Sequence, residues 1–175
     1  MKAGRTIWIT GLSGAGKSTL AGPVADGLRQ AGEHVVLLDG DELRAVFGPT
    51  ATAPASHTRD ARLDLALRYG RLCRMLSSQG LTVVIATISL YREVQDWNRQ
   101  HLCGYTEIFL DVPLEELRRR DPKGIYRRFD AGEITDVSGL DVAVDFPVAP
   151  DLHLRWESGV GIDELTARVL SLLRK

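Results

Sequence analysis

Residues Gly11-Leu12-Ser13-Gly14-Ala15-Gly16-Lys17-Ser18 fit the pattern G-x-x-x-x-G-K-[ST]. Glycine at those positions lets the backbone curl so that successive N–H groups point inward at phosphate oxygens. A helix opening at Lys17 adds the favourable end of its dipole to the same anion site. Lys17 then reaches the β- and γ-phosphates of ATP, and the Ser18 hydroxyl is placed to ligate Mg²⁺. Gly11, Ser13, Gly14, Ala15, Gly16, Lys17, Ser18 and Thr19 are therefore the candidates to hold ATP. The chemistry they support is transfer of the γ-phosphate.

A second constellation, Asp39-Gly40-Asp41, ends an apolar run. Ligands of open α/β sheets collect at such strand ends. A carboxylate there can order a metal-bound water or accept the proton of an attacking hydroxyl. Asp41 is the first candidate, as a catalytic group beside Lys17 and as a metal ligand beside Ser18, and Asp39 is the second. Asp41 also suits the N-cap of a helix starting at Glu42, and both roles can hold at once. Moving a phosphoryl group between anions needs cationic clamps. Arg44, Arg62, Arg92 and Lys123 fall near strand ends or loops, while most of Arg118 to Arg120 covers a helix face.

These groups need a scaffold, and the pattern of the chain supplies one. Strands are expected at Thr6 to Thr10, His34 to Leu38, Thr82 to Thr87, Thr106 to Val112 and Leu152 to Leu154. Helices are expected at Lys17 to Ala31, Glu42 to Phe47, Arg59 to Gln79, Tyr91 to Leu102, Leu114 to Arg119 and Ile162 to Leu173. Gly48 to His57 has no periodicity and reads as a loop. Asp121 to Asp145 is polar and Gly-bearing, and reads as a mobile lid rather than a packed element. Continuous apolar strands alternating with helices imply an α/β fold of three layers, a central parallel sheet covered on both faces. Nothing divides residues 1–175 into more than one kinase-type domain.

Composition sets the outer limits. Of 175 residues, 44% are hydrophobic and 26% charged, with a formal net charge of −1. That balance gives no global field for nucleic acid or a membrane surface, so a phosphate-bearing small molecule would have to be gripped by a local cluster of cations. No apolar run is long enough to cross a bilayer, and the N-terminus lacks a signal-peptide pattern. Cys73 and Cys103 have neither metal nor redox spacing, and are expected to be reduced core thiols of a cytoplasmic protein.

Over nearly its whole length the chain resembles the adenylylsulfate kinase family. The residues that carry the likeness are GLSGAGKST at Gly11, LDGDELR at Leu38, ATISLYR around Ser89, RRDPKGIYRR at Arg119, AGEITDVSGLD at Ala131 and the stretch Pro147 to Leu152. The resemblance implies that ATP phosphorylates the ribose 3′-hydroxyl of adenosine 5′-phosphosulfate, in an enzyme that commonly pairs into homodimers. Gly14 to Thr19 would hold the ATP phosphates, and Asp41 would organise metal and acceptor. Arg44, Arg62 and Lys123 would grip the acceptor's anionic end. Ile88 and Ser89 fall in the acceptor site, Ser89 at a position that can carry phosphate in the family.

The departures fall on the acceptor side. The family's Asn position on the helix after the first loop holds Leu65, its lid Phe position holds Val137, and the Pro after the serine is Leu90. A first aromatic position is replaced within Gly48 to His57. Two rings that clamp the acceptor's adenine in the family are thus absent, and each stacked base is worth about 1–3 kcal/mol. Tyr91, Trp97 and Phe129 are the rings available to compensate. Adenylylsulfate is the default acceptor. A second reading is a relative acting on cytidine diphosphoramidate, whose smaller base needs less aromatic clamping. A third, of another class, is a regulatory module that binds ATP without turning it over.

Overall fold

The computed structural model describes residues 4–47 and 58–174. The loop expected at Gly48 to His57 lies outside the described residues. Five strands form one all-parallel sheet: β1 (Thr6–Thr10), β2 (Val35–Asp39), β3 (Thr82–Ala86), β4 (Tyr105–Asp111) and β5 (Leu152–Arg155). Their order is β2-β3-β1-β4-β5, so β1 is central, with β2 and β3 on one side and β4 and β5 on the other.

β1 and β3 are buried along their whole length because both faces of the sheet are covered. Ile7 and Ile9 of β1 pack with Leu20, Val24 and Leu28 of α1 (Lys17–Gln30) and with Val169 of the final helix, Ile162–Leu173. Trp8, pointing the other way, packs with Ala66, Tyr69 and Cys73 of a helix at Arg59–Ser77 and with Val94 of one at Arg92–His101. Alternate side chains of one strand thus feed two cores, which is the period-2 geometry of a strand. The expected helices and strands are all present, with ends that move by one or two residues.

In chain order the helices are α1, α2 (Gly40–Phe47), α3 (Arg59–Ser77), α4 (Arg92–His101), α5 (Leu114–Arg120), α6 (Ile125–Asp130) and α7 (Ile162–Leu173). Two expectations need correction. The segment Asp121 to Asp145 is not free of packed structure: it contains α6, whose Tyr126 is buried, and Val137 and Ser138 are buried too. Asp121 starts α6 by accepting the N–H groups of Tyr126 and Arg127 at 3.2 and 3.0 Å. The two cysteines also differ: Cys73 is buried, its thiol pushed up to about 12 by desolvation, whereas Cys103 is exposed. No helix among the described residues is long and apolar enough to cross a membrane.

Candidate active site

A cleft of about 990 Å³ runs along the C-terminal ends of the strands. Its middle is the loop between β1 and α1. Gly16 begins α1 in a left-handed conformation, no side chain caps the helix, and its first turn carries no acidic residue. The first-turn N–H groups are therefore left to a ligand, and the dipole favours an anion. Ser13, Gly14, Ala15, Gly16, Lys17, Ser18 and Thr19 all line this part of the cleft. Gly11 does not. It lies beneath the loop, where a Cβ would stand 2.6 Å from the Leu110 carbonyl oxygen, so its role is to let β1 approach β4.

The loop is braced from the segment read as a lid. Tyr126 Oη donates to the Ser13 carbonyl at 2.8 Å. Gly14 has φ 78, and a Cβ there would sit 3.4 Å from Pro122 Cδ. Lys17 Nζ donates to the Leu12 carbonyl at 2.8 Å. Burial lowers the Lys17 pKa to about 8, helped by the Lys123 and Arg44 charges and opposed by Asp41 and Asp39. A cation so poorly solvated is ready to take a polyanion as its partner.

The two aspartates divide the work differently from the expectation. Ser18 Oγ donates to Asp39 Oδ2 at 2.5 Å, and Asp39 Oδ1 accepts the Asp41 N–H at 2.8 Å. Asp39 therefore caps α2 and is the carboxylate on the Ser18 hydroxyl. Helix α2 begins at Gly40, which places Asp41 inside its first turn rather than at the cap. Asp41 instead accepts a hydrogen bond from Lys123 Nζ and one from Arg44 at 3.3 Å. The Lys123 bond holds its carboxyl below the usual carboxylate range. Ser18 and Asp39 offer the hard oxygen donors that suit Mg²⁺, which is held by one or two protein oxygens together with phosphates and water. Among the described residues no group of three or more His, Cys, Asp or Glu forms a metal cage.

At the β2/β3 side the cleft is lined by Arg44, Arg62, Leu65, Tyr69, Ile88, Ser89, Tyr91, Asp136, Val137 and Ser138. Arg62 of α3 spans it, donating to Ser138 Oγ at 3.0 Å and to the Asp136 carbonyl. Asp141 holds that loop in shape by accepting the N–H groups of Asp136 and Val137 at 2.7 and 2.6 Å. Ser89 is buried with φ 34, its hydroxyl 2.8 Å from Thr87 Oγ1, and Thr10 Oγ1 donates to the Ile88 carbonyl. A non-glycine residue held at positive φ marks backbone fixed by its surroundings.

Of the rings available to compensate, Tyr91 alone lines the cleft, with the Arg59 guanidinium 5.3 Å from its ring centroid. Trp97 stacks on His101 instead, and Phe129 is not part of the lining. Arg92 also falls outside: its side chain is exposed and its N–H donates to Asp145 Oδ2 at 3.1 Å. Helix α4 starts at Arg92 and leads it away from the strand end. Tyr69, Arg120 and Trp156 line the cleft without having been singled out from sequence. Trp156 had a usable signal, since it follows the last strand directly.

A phosphate loop opening the helix after the central strand of a parallel sheet, with a lysine and a Ser–Asp pair beside it, defines a phosphotransferase of the P-loop class. The family profile for adenylylsulphate kinase matches residues 3–155. The chain is 36% identical over 172 residues to an adenylyl-sulfate kinase of Picosynechococcus, covering 98% of this chain and 93% of that one. It is 38% identical over 143 residues to a cytidine diphosphoramidate kinase of Campylobacter jejuni, covering 82% of this chain and 81% of that one. The structure of the Mycobacterium tuberculosis APS kinase in complex with AMPPNP and APS superimposes with a TM-score of 0.87 at 35% identity, covering 99% of both chains. This chain belongs to the adenylylsulphate kinase family and is an ATP-dependent phosphotransferase.

Proposed function

We propose that the chain transfers the γ-phosphate of ATP to a ribose hydroxyl of a nucleotide bearing a small activated anionic group. We further propose that the base of that acceptor is a pyrimidine, as in cytidine diphosphoramidate. The observation that carries the choice of base is the pairing of Leu65 and Val137 at the acceptor end of the cleft. These are the positions where the family resemblance calls for an amide and a stacking ring. Aliphatic groups there cannot supply about 1–3 kcal/mol of stacking to an adenine. The Campylobacter jejuni relative supports the same reading. Adenylylsulfate is the second reading, favoured by the 172 residues over which the Picosynechococcus adenylyl-sulfate kinase aligns.

In this account Lys17 neutralises charge that builds on the transferred phosphoryl. Ser18 and Asp39 would hold Mg²⁺, which supplies charge neutralisation at the phosphates when bound. Asp41 orients the acceptor hydroxyl, and its bonds to Lys123 and Arg44 tie that carboxylate to the groups that meet the acceptor's anionic tail. Arg62, with Ser138 and Asp136, closes the far side and keeps water from the phosphate.

The test follows ADP release with Mg·ATP and one acceptor at a time: cytidine diphosphoramidate, adenylylsulfate, or none. Turnover with the cytidine compound at a higher kcat/KM supports the proposal. Efficient turnover of adenylylsulfate alone returns the second reading. ATP binding with no ADP release from any acceptor contradicts both and leaves a binding module.

A further inference from the structure

Attacking and leaving oxygens lie roughly in line through a transferred phosphoryl group. Donor and acceptor therefore leave the phosphate loop in opposite directions. With Asp41 and Ser89 on the proposed acceptor side, the sheet order separates the two: Asp41 and Ser89 follow β2 and β3, on one side of β1, and β4 and β5 lie on the other. That second side of the cleft is lined by Arg120, Leu154, Trp156, Val160, Ile162 and Leu165.

Trp156 stands out among these. Its N–H donates to the Asp111 carbonyl at 2.8 Å, so its backbone is fixed on β4. Its side chain nonetheless leaves the residue 39% exposed at the cleft wall. The other tryptophans are committed elsewhere: Trp8 is 1% exposed in the core, and Trp97 stacks on His101 with centroids 4.5 Å apart. Among the described residues Trp156 has no aromatic or cation–π partner. A large ring with an open face costs hydration of apolar surface unless something covers it. The aliphatic side chains of Val160, Ile162 and Leu165 make the surroundings suited to a flat, weakly polar ligand.

We propose that Trp156 is the platform on which the base of the donor nucleotide stacks. The proposal rests on the ATP-dependent reading and adds the residue that recognises the base. Its test is calorimetric titration of wild type, Trp156→Leu and Trp156→Phe with ADP and, separately, with tripolyphosphate. Leucine keeps apolar bulk without a ring. The expected result is an ADP Kd raised about 5- to 150-fold in Trp156→Leu and restored to within about threefold of wild type in Trp156→Phe. Tripolyphosphate, which has no base, should bind all three alike. ADP affinity within twofold of wild type in Trp156→Leu would overturn the proposal. So would an equal loss of tripolyphosphate binding, which would make Trp156 a brace for the loop. A wild type that bound neither ligand would bring down the ATP reading itself.

Discussion

At the end of the cleft proposed for the ATP phosphates, the lining comes from one short run, Ser13 to Thr19, around the start of α1. At the proposed acceptor end the lining comes from α2, α3, the turn after β3 and the loop at Asp136 to Ser138. They meet through side chains such as Arg62 and Lys123. The first region is shaped mainly by one local turn, with Tyr126 bracing it from a distance in sequence. The second is an assembly of long-range polar contacts, each of which can change alone. Evolution of a new acceptor within one family is therefore easier to accommodate at the second end, where Leu65 and Val137 stand.

If that contrast holds, damage at the phosphate end should abolish catalysis, and damage at the acceptor end should change what is bound. Lys17→Ala should lower kcat by about 10³-fold with every acceptor, because it removes the cation nearest the transferred charge. A loss of only a few-fold would break the assignment. Arg62→Ala should lower kcat/KM for the acceptor by about 10²-fold through misplacement, while ATP affinity measured by calorimetry stays as in wild type. A parallel loss of ATP affinity would show that the two ends are not separable. Asp41→Asn should cost about tenfold in kcat, with a smaller change in ATP affinity, since it loosens Lys123 and the acceptor hydroxyl together. A variant that lost ATP binding alone would put Asp41 at the phosphate end.

The smallest effect is a pH dependence. Lys17 in the free protein has its pKa lowered to about 8. ATP phosphates raise it again, so binding near and above that pH draws in a proton and weakens as pH rises. Titrations at pH 8 in buffers of different ionisation enthalpy should show uptake of about half a proton per ATP. No uptake would mean that Lys17 stays charged in the free state.

Legibility followed the same division. The phosphate loop, the strands and nearly all helix positions were readable because their signals lie within a few residues: a glycine pattern, an apolar run, a periodic face. Helix α6 was not readable, because Ile125 to Asp130 sits in a polar, Gly-bearing segment. Asp121 starts it, and Tyr126 fastens it to Ser13, which is 113 residues away in sequence. Asp39 and Asp41 were both visible as candidates, but their spacing could not say which faces Ser18. That depends on α2 starting at Gly40, two residues before the expected Glu42. Arg92 looked like a clamp because it falls near a strand end, yet it opens α4 with its side chain exposed and outside the cleft lining.

The claim that the acceptor end has changed while the phosphate end has not is tested most directly by competition. Equal concentrations of cytidine diphosphoramidate and adenylylsulfate are placed in one reaction with Mg·ATP, and the two phosphorylated products are separated and counted at low conversion. Their ratio is the ratio of kcat/KM values. The account predicts that the cytidine product dominates by about tenfold or more, as expected for an acceptor site without adenine-stacking rings. A ratio favouring phosphorylated adenylylsulfate would contradict it, and would mean that Leu65 and Val137 serve an adenine site built on other contacts.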